Sequence, residues 1–142
     1  MKRSIRVLSL ILALFMLTLA FVACNEKPTG LWENATYTKD KTLGDGANTL
    51  SITVEMEEKS IVLTIKTDAA TVKDALAEHD LIDGEQQAIG YMMSTLNGVR
   101  ADFTLDGAYW GFYQNGEYMM TGIDSTPVTG DAAYEFVYTP AS

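Results

Sequence analysis

The residues able to carry reactive chemistry are few and scattered. His79 is the only histidine and Cys24 the only cysteine among 142 residues. A histidine base needs a nucleophile within hydrogen-bond reach, and His79 stands among Leu76, Ala77, Glu78 and Asp80 with no Ser or Cys beside it. No G-x-S-x-G, H-E-x-x-H or P-loop pattern occurs. His79 is therefore assigned to packing or to a helix end, and the chain is read as not being an enzyme. Asp80, Asp83 and Glu85 form one acidic group and Asp102 and Asp106 another, but neither has the spacing of a calcium loop. In a chain this acidic they read as solvated surface, and no metal is assigned. A Cu(I) site would use thioethers, but Met-x-Met spacing with histidine is missing.

Binding chemistry has better material. Met92-Met93 and Met119-Met120 are adjacent pairs of soft, adaptable side chains. In a strand, one member of each pair must point away from the core. Tyr91, Tyr109, Trp110, Phe112, Tyr113 and Tyr118 supply rings. Asn115-Gly116 between two β-prone runs is a strong hairpin signal, because both residues tolerate the positive φ of a type I′ turn. On the first strand Trp110 and Phe112 share one face, assigned to the core. Tyr109, Gly111 and Tyr113 share the other, and the strand reads as central and two-sided. Gly111 leaves a gap where a backbone or flat ligand can approach. Tyr113 and Tyr118 flank the turn, where an amphipathic ring can stack on a flat ligand while its hydroxyl bonds a polar rim.

The elements that must position these groups can be read from periodicity. Leu31 to Thr38 is a possible first strand, and Lys39 to Asn48 a loop. Leu50, Ile52, Val54 and Met56 alternate with polar residues, and so do Ile61, Leu63 and Ile65, giving an antiparallel pair turned at Glu57-Glu58-Lys59. Val72, Ala75, Leu76 and His79 fall on one face of a helix of about nine residues, capped by Asp68 or Thr71. A helix this short needs a sheet to pack on. Asp83-Gly84-Glu85 reads as a turn and Gln86 to Gly90 as a loop. Tyr91 to Leu96 reads as a strand turned at Asn97-Gly98, Ile123 to Gly130 as a surface loop, and Ala133 to Tyr138 as a last strand. The expected fold is α+β: a β-grasp-like mixed sheet with a single short packed helix. An all-β sandwich is the alternative.

Lys2, Arg3 and Arg6 precede an apolar run from Val7 to Ala23. A basic start, an apolar stretch and a small residue before Cys24 make a secretory leader. Phe21-Val22-Ala23-Cys24 resembles a lipobox, in which the cysteine is lipidated. A single transmembrane anchor is the other reading, at the lower length limit for a span. The expected organisation is a leader over 1–23, a tether linker over 24–30 and one domain over 31–142. Removing three basic residues from the 10 Lys+Arg leaves 7 against 19 Asp+Glu, a formal charge of −12. Such a surface excludes nucleic acid and charge-driven adhesion to anionic lipid. With Cys24 lipidated no thiol is left for a disulfide.

Tyr109-Trp110-Gly111-Phe112, Met119-Met120-Thr121-Gly122-Ile123 and Gly130-Asp131 leading into Tyr134-Glu135-Phe136-Val137-Tyr138 carry a family resemblance. So do Thr71 to Leu76 with Leu81 to Glu85, and Ser94 to Val99. From about Leu50 to Thr139 the chain resembles the C-terminal domain of transcobalamin and intrinsic factor, and a family of bacterial surface lipoproteins, most of unknown function, that is named after it. The resemblance implies a β-sheet domain with one helix, in which segments equivalent to Trp110, Met119, Met120, Thr121 and Ile123 cover one face of cobalamin. Tyr113 and Tyr118 join that candidate set from the hairpin geometry. Transcobalamin also has a large helical domain on the opposite ligand face, and this sequence has none. Two functions follow as expectations. One is a lipid-anchored protein on the outer side of the cell membrane that binds a small ligand, cobalamin or another corrinoid. The other is a non-catalytic interaction module that docks to an envelope or transporter component.

Overall fold

The computed structural model describes residues 27–142. The leader and Cys24 lie outside the described residues. Strands β2 (Asn48–Met56) and β3 (Lys59–Thr67) form where the apolar/polar alternation is cleanest. Leu50 stands opposite Ile65, Ile52 opposite Leu63 and Val54 opposite Ile61, so all six bury on one face. Strand β1 (Lys41–Gly44) lies parallel to β3 at the sheet edge. It falls in the stretch read as a loop, since it is mostly exposed and has no face to declare itself.

The last strand, β9 (Ala132–Pro140), inserts beside β2 and parallel to it, as in a β-grasp. Strand β7 (Ala108–Gln114) pairs antiparallel with β9, and β8 (Glu117–Tyr118) pairs with the end of β7. The mixed sheet runs β1-β3-β2-β9-β7-β8. Strand β7 is thus next to an edge rather than central. Tyr134 and Phe136 of β9 and Trp110 and Phe112 of β7 continue the apolar face of β2 and β3. Phe112 stacks on Phe136 with centroids 4.9 Å apart.

Two short helices accompany the sheet, and a second sheet lies beside it. In α1 (Val72–Ala77) the Thr71 hydroxyl accepts from the Asp74 amide, and Val72, Ala75 and Leu76 are buried. The helix stops short of His79. Strands β4 (Ile82–Gln87), β5 (Gly90–Leu96) and β6 (Val99–Arg100) form a three-stranded antiparallel sheet. The turn and loop read over Asp83 to Gly90 are thus mostly strand. Gly84 misled the sequence reading: it sits at a register shift with its α-carbon against the Met92 carbonyl, where a side chain would collide. The one-turn helix α2 (Phe103–Asp106) starts where the Asp102 carboxylate accepts from the amides of Thr104 and Leu105.

No strand forms over Leu31 to Thr38. Gly30–Asn34 is a 3-10 turn that drives Trp32 into the core, where its indole N–H donates to the Met56 carbonyl at 3.1 Å. A buried indole needs that partner, and the turn delivers it. Asn97 ties this segment to the small sheet. Its side chain accepts from the Tyr37 amide at 2.9 Å and donates to the Tyr37 carbonyl at 2.8 Å. Helix α1, the small sheet and the 3-10 turns cover one face of the large sheet in a single apolar cluster from Trp32 to Phe136. Trp32 docks at the Met56 end of β2. Tyr113 pairs with Glu135 and Glu135 with Thr53, so the Asn115-Gly116 turn points toward the other end.

Candidate functional site

Where the large sheet's apolar face runs out under β7, an open cleft of about 560 Å³ lies between the two sheets. Its floor is Trp110, Phe112 and Phe136. Tyr91, Met92 and Met93 of β5 form one wall, and the segment from Tyr118 to Ile123 forms the other. Phe103 of α2 and Tyr109 stand at one end.

The hairpin explains the second wall. Asn115 and Gly116 take φ of 52° and 78°, so the tight turn forms where the dipeptide placed it. The returning strand then lasts only two residues. After the Met119 amide donates to the Phe112 carbonyl at 2.8 Å, the chain leaves the sheet. Met119 packs on the core edge, and Met120 is left 92% exposed. Thr121 meets Thr126 hydroxyl to hydroxyl at 3.2 Å, and Thr126 donates to the Gly122 carbonyl. Ile123 is buried in the 3-10 turn Ile123–Ser125. Asp124 of that turn accepts from the Tyr91 amide at 3.1 Å, clamping the second wall to the first. Sequence reasoning passed over Asp124, whose signal was no more than one acid in a presumed loop.

Of the predicted ligand set, Trp110, Tyr118, Met119, Met120, Thr121 and Ile123 all line this cleft. Tyr113 does not. It follows Phe112 by one residue and so lies on the outer face, where its ring lies against Gly111 and meets Tyr118 edge-on at 5.4 Å. The gap beside Gly111 is thus filled by Tyr113 itself. The pair in β5 divides as strand geometry requires, and the pair beyond β8 divides where the chain leaves the sheet. Met92 is 49% exposed and Met93 half-buried, while Met120 is exposed and Met119 half-buried. Tyr91, Met92, Met93 and Phe103 join the site across space from residues distant in sequence.

The acidic residues are mostly committed to structure. Arg100 grips Asp106 through two bonds of 2.8 and 2.9 Å, and Asp106 also accepts from the Asp102 amide. The guanidinium bond holds the Asp106 carboxyl down at about 2. Asp102 caps α2. Desolvation, then the charge of Asp83, pushes the Tyr91 hydroxyl up. Among the described residues no three His, Cys, Asp or Glu side chains are grouped to hold a metal ion. His79 Nε2 is buried without a hydrogen-bond partner near Gly44, remote from the cleft lining. Among the described residues no helix is long and apolar enough to cross a membrane.

Comparison with known proteins matches residues 69–132 to a family described as a domain of unknown function, DUF4430. A protein from Ruminococcus gnavus ATCC 29149, described provisionally as metal binding, superposes with a TM-score of 0.61 at 26% identity. That match covers 67% of this chain and 99% of the other. Haptocorrin in complex with Cbi superposes with a TM-score of 0.53 at 16% identity, over 67% of this chain. The match spans a quarter of haptocorrin (25%), and at this identity it shows the fold alone. No curated protein sequence matches the chain. The fold is transcobalamin-like, α+β and mostly strand.

Proposed function

We propose that the chain is a non-catalytic binding module that receives a flat, largely apolar ligand of the corrinoid class in the cleft between β5 and the Tyr118–Ile123 segment. The observation that carries this reading is the cleft itself. Met120, Phe103 (68% exposed), Tyr118 (57%) and Met92 rim an opening floored by Trp110 and Phe112. A folded chain leaves such residues wet at a cost, and an apolar cleft with a few polar groups is the usual form of a small-ligand site. Thr121 at the rim supplies a hydroxyl to orient the ligand. Haptocorrin's complex with Cbi supports the ligand class through a shared fold. The metal description of the Ruminococcus protein finds no donor set among the described residues.

In this reading Cys24 carries lipid, residues 24–30 are the tether, and the domain faces outward from the membrane. Trp32 fixes the tethered end at Met56, and Trp110 of the cleft floor pairs with Tyr138 toward that same end of the sheet. A cleft that covers one ligand face leaves the other for a partner, such as a transporter component. Exposed Ile89 and Leu105, outside the cleft, favour docking of such a partner nearby.

The test is calorimetric titration of the full chain in phosphatidylcholine nanodiscs with cobinamide and with cobalamin, using empty nanodiscs as reference. Saturable heat with one site per chain is expected, lost in Met120→Asp. A flat response up to millimolar ligand would remove the corrinoid reading.

A further inference from the structure

The one-turn helix α2 buries none of its four residues. Phe103 is 68% exposed and Leu105 69%. Such a turn adds no buried apolar side chain to the fold, and a single turn has no stability of its own. Yet polar bonds hold it at both ends, Asp102 on the amides of Thr104 and Leu105, and Arg100 on Asp106. What this held turn presents is two bare apolar side chains. Ala108, which follows it, pairs with Pro140, and Val137 pairs with Glu55, so α2 lies toward the Met56 end of β2. The chain from Cys24 enters at the same end. There the Leu31 amide donates to Glu57 at 3.1 Å, and the Trp32 indole donates to the Met56 carbonyl. Desolvation, then the charge of Asp106, pushes the Tyr138 hydroxyl up, against Arg100 and with Glu57 adding least. That hydroxyl therefore lies between α2 and the turn joining β2 to β3.

We infer that α2 is a membrane contact, with Phe103 and Leu105 entering the interfacial layer of the bilayer that holds the anchor. This rests on the reading of Cys24 as the anchor and is independent of any ligand in the cleft. Cys24 stands three positions before Lys27, the first described residue, and seven before Leu31. Even fully extended, seven residues put the anchor at most about 25 Å from Leu31, so a lipid on Cys24 keeps the bilayer within reach of this end of the sheet. Two side chains would not hold a free protein on a membrane. The anchor makes their insertion an intramolecular step at high effective concentration, where a weak contact suffices. The turn also comes to lipid with its polar groups engaged, since Arg100 neutralises Asp106 and the Asp102 carboxylate takes the first free amides. Tyr109, which shares a cavity wall with Phe103, adds an amphipathic ring of the kind favoured at that depth. The contact is apolar, so the chain's net acidity does not oppose it as it opposes charge-driven adhesion. Leu105 is then covered by lipid rather than by a protein partner, and the domain keeps one orientation on its tether.

The experiment places the full chain, labelled at its leucine methyls, in phosphatidylcholine nanodiscs with and without 5-doxyl phosphatidylcholine, whose spin sits just below the headgroups. The Leu105 methyls are expected to broaden several-fold more than those of Leu43, which stands opposite Ile65 on the edge strand, away from the Met56 end. The broadening should persist at about 0.5 M salt, where charge attraction is screened. It should fall in Phe103→Ser, a change that leaves the buried core untouched. Leu105 broadened no more than Leu43, in a chain that co-purifies with the discs, would overturn the contact, leave the anchor standing and return α2 to a protein partner. Broadening lost in salt would assign the contact to charge and overturn apolar insertion. Broadening unchanged in folded Phe103→Ser would overturn the part given to Phe103. A chain that fails to co-purify with the discs would overturn the anchor reading and this inference with it.

Discussion

Single side chains divide between those that hold the fold and those kept for the cleft. Phe136 is fully buried and stacked on Phe112, so Phe136→Ala should cost roughly 3–5 kcal/mol in chemical denaturation. Met120→Ala removes a larger side chain than many core truncations, yet the residue is 92% exposed, and stability should stay within about 0.5 kcal/mol. If Met120 instead cost as much as a core residue, the segment would be packed rather than waiting for a ligand. Asn97 makes a sharper case, because it bonds both main-chain groups of Tyr37 at a φ of 52°. Asn97→Ala loses both bonds and strains the backbone, for about 2–3 kcal/mol together. Asn97→Gly loses only the bonds and should recover about 1 kcal/mol of that. Equal melting of the two variants would contradict the backbone part of the argument. Asn97-Gly98 was legible as a turn, but the partner of its side chain was not, since Tyr37 is remote in sequence.

At the scale of elements, α2 is the test of how the cleft's end wall is held. A single turn has no stability of its own, so Asp102 at its start and the Arg100–Asp106 pair at its end must hold it. The Asp106 carboxyl titrates at about 2 in the fold, below its ordinary value. The stabilisation is therefore complete above the ordinary carboxylate range and is lost as pH falls through that folded value. The protection of the Thr104 to Asp106 amides, relative to their intrinsic exchange rate at each pH, should hold at about pH 4 and fall as pH drops toward about 2, at moderate salt. Asp106→Asn should remove that dependence; protection that fell equally in this variant would assign the change to another group. The elements also show what periodicity can and cannot disclose. Strands β2, β3 and β9 were visible because each presents one dry face, which forces alternation, and β7 because the Asn115-Gly116 turn follows it. Strand β4 has almost no buried face and carries Gly84, so it read as a turn. Six of the seven proposed contact residues reached one cleft, because the hairpin and its exit are local in sequence. The opposite wall comes from β5 and α2, and its distance across the fold is set by the second sheet, which no local pattern announced.

At the scale of the molecule, the closure by Trp32 and the floor of the cleft lie toward the same end of the large sheet. One end is closed by Trp32 and bears the segment leading back toward Cys24. The chain leaves the sheet after Tyr118, running parallel to β2 toward that same end, and opens the cleft between two walls clamped by Asp124. If that clamp sets the cleft's width, Asp124→Ala should weaken cobinamide binding about three- to tenfold while moving denaturation by no more than about 1 kcal/mol. Unchanged affinity would mean the walls are held otherwise. If Cys24 is the anchor, Cys24→Ser should leave the folded domain intact but release it from the membrane fraction. Retention of the variant in membranes would point to the apolar run before it as the tether.

The cleft's role can be read most directly from its own methionines. Methyl-labelled methionine resonances of the full chain, followed during cobinamide titration, place reporters at Met92, Met93, Met119 and Met120 around the cleft, and at Met56 in the sealed core. The four cleft methyls are expected to shift together and saturably while Met56 holds still. Saturable binding that left all four unmoved would put the ligand elsewhere and contradict the cleft reading.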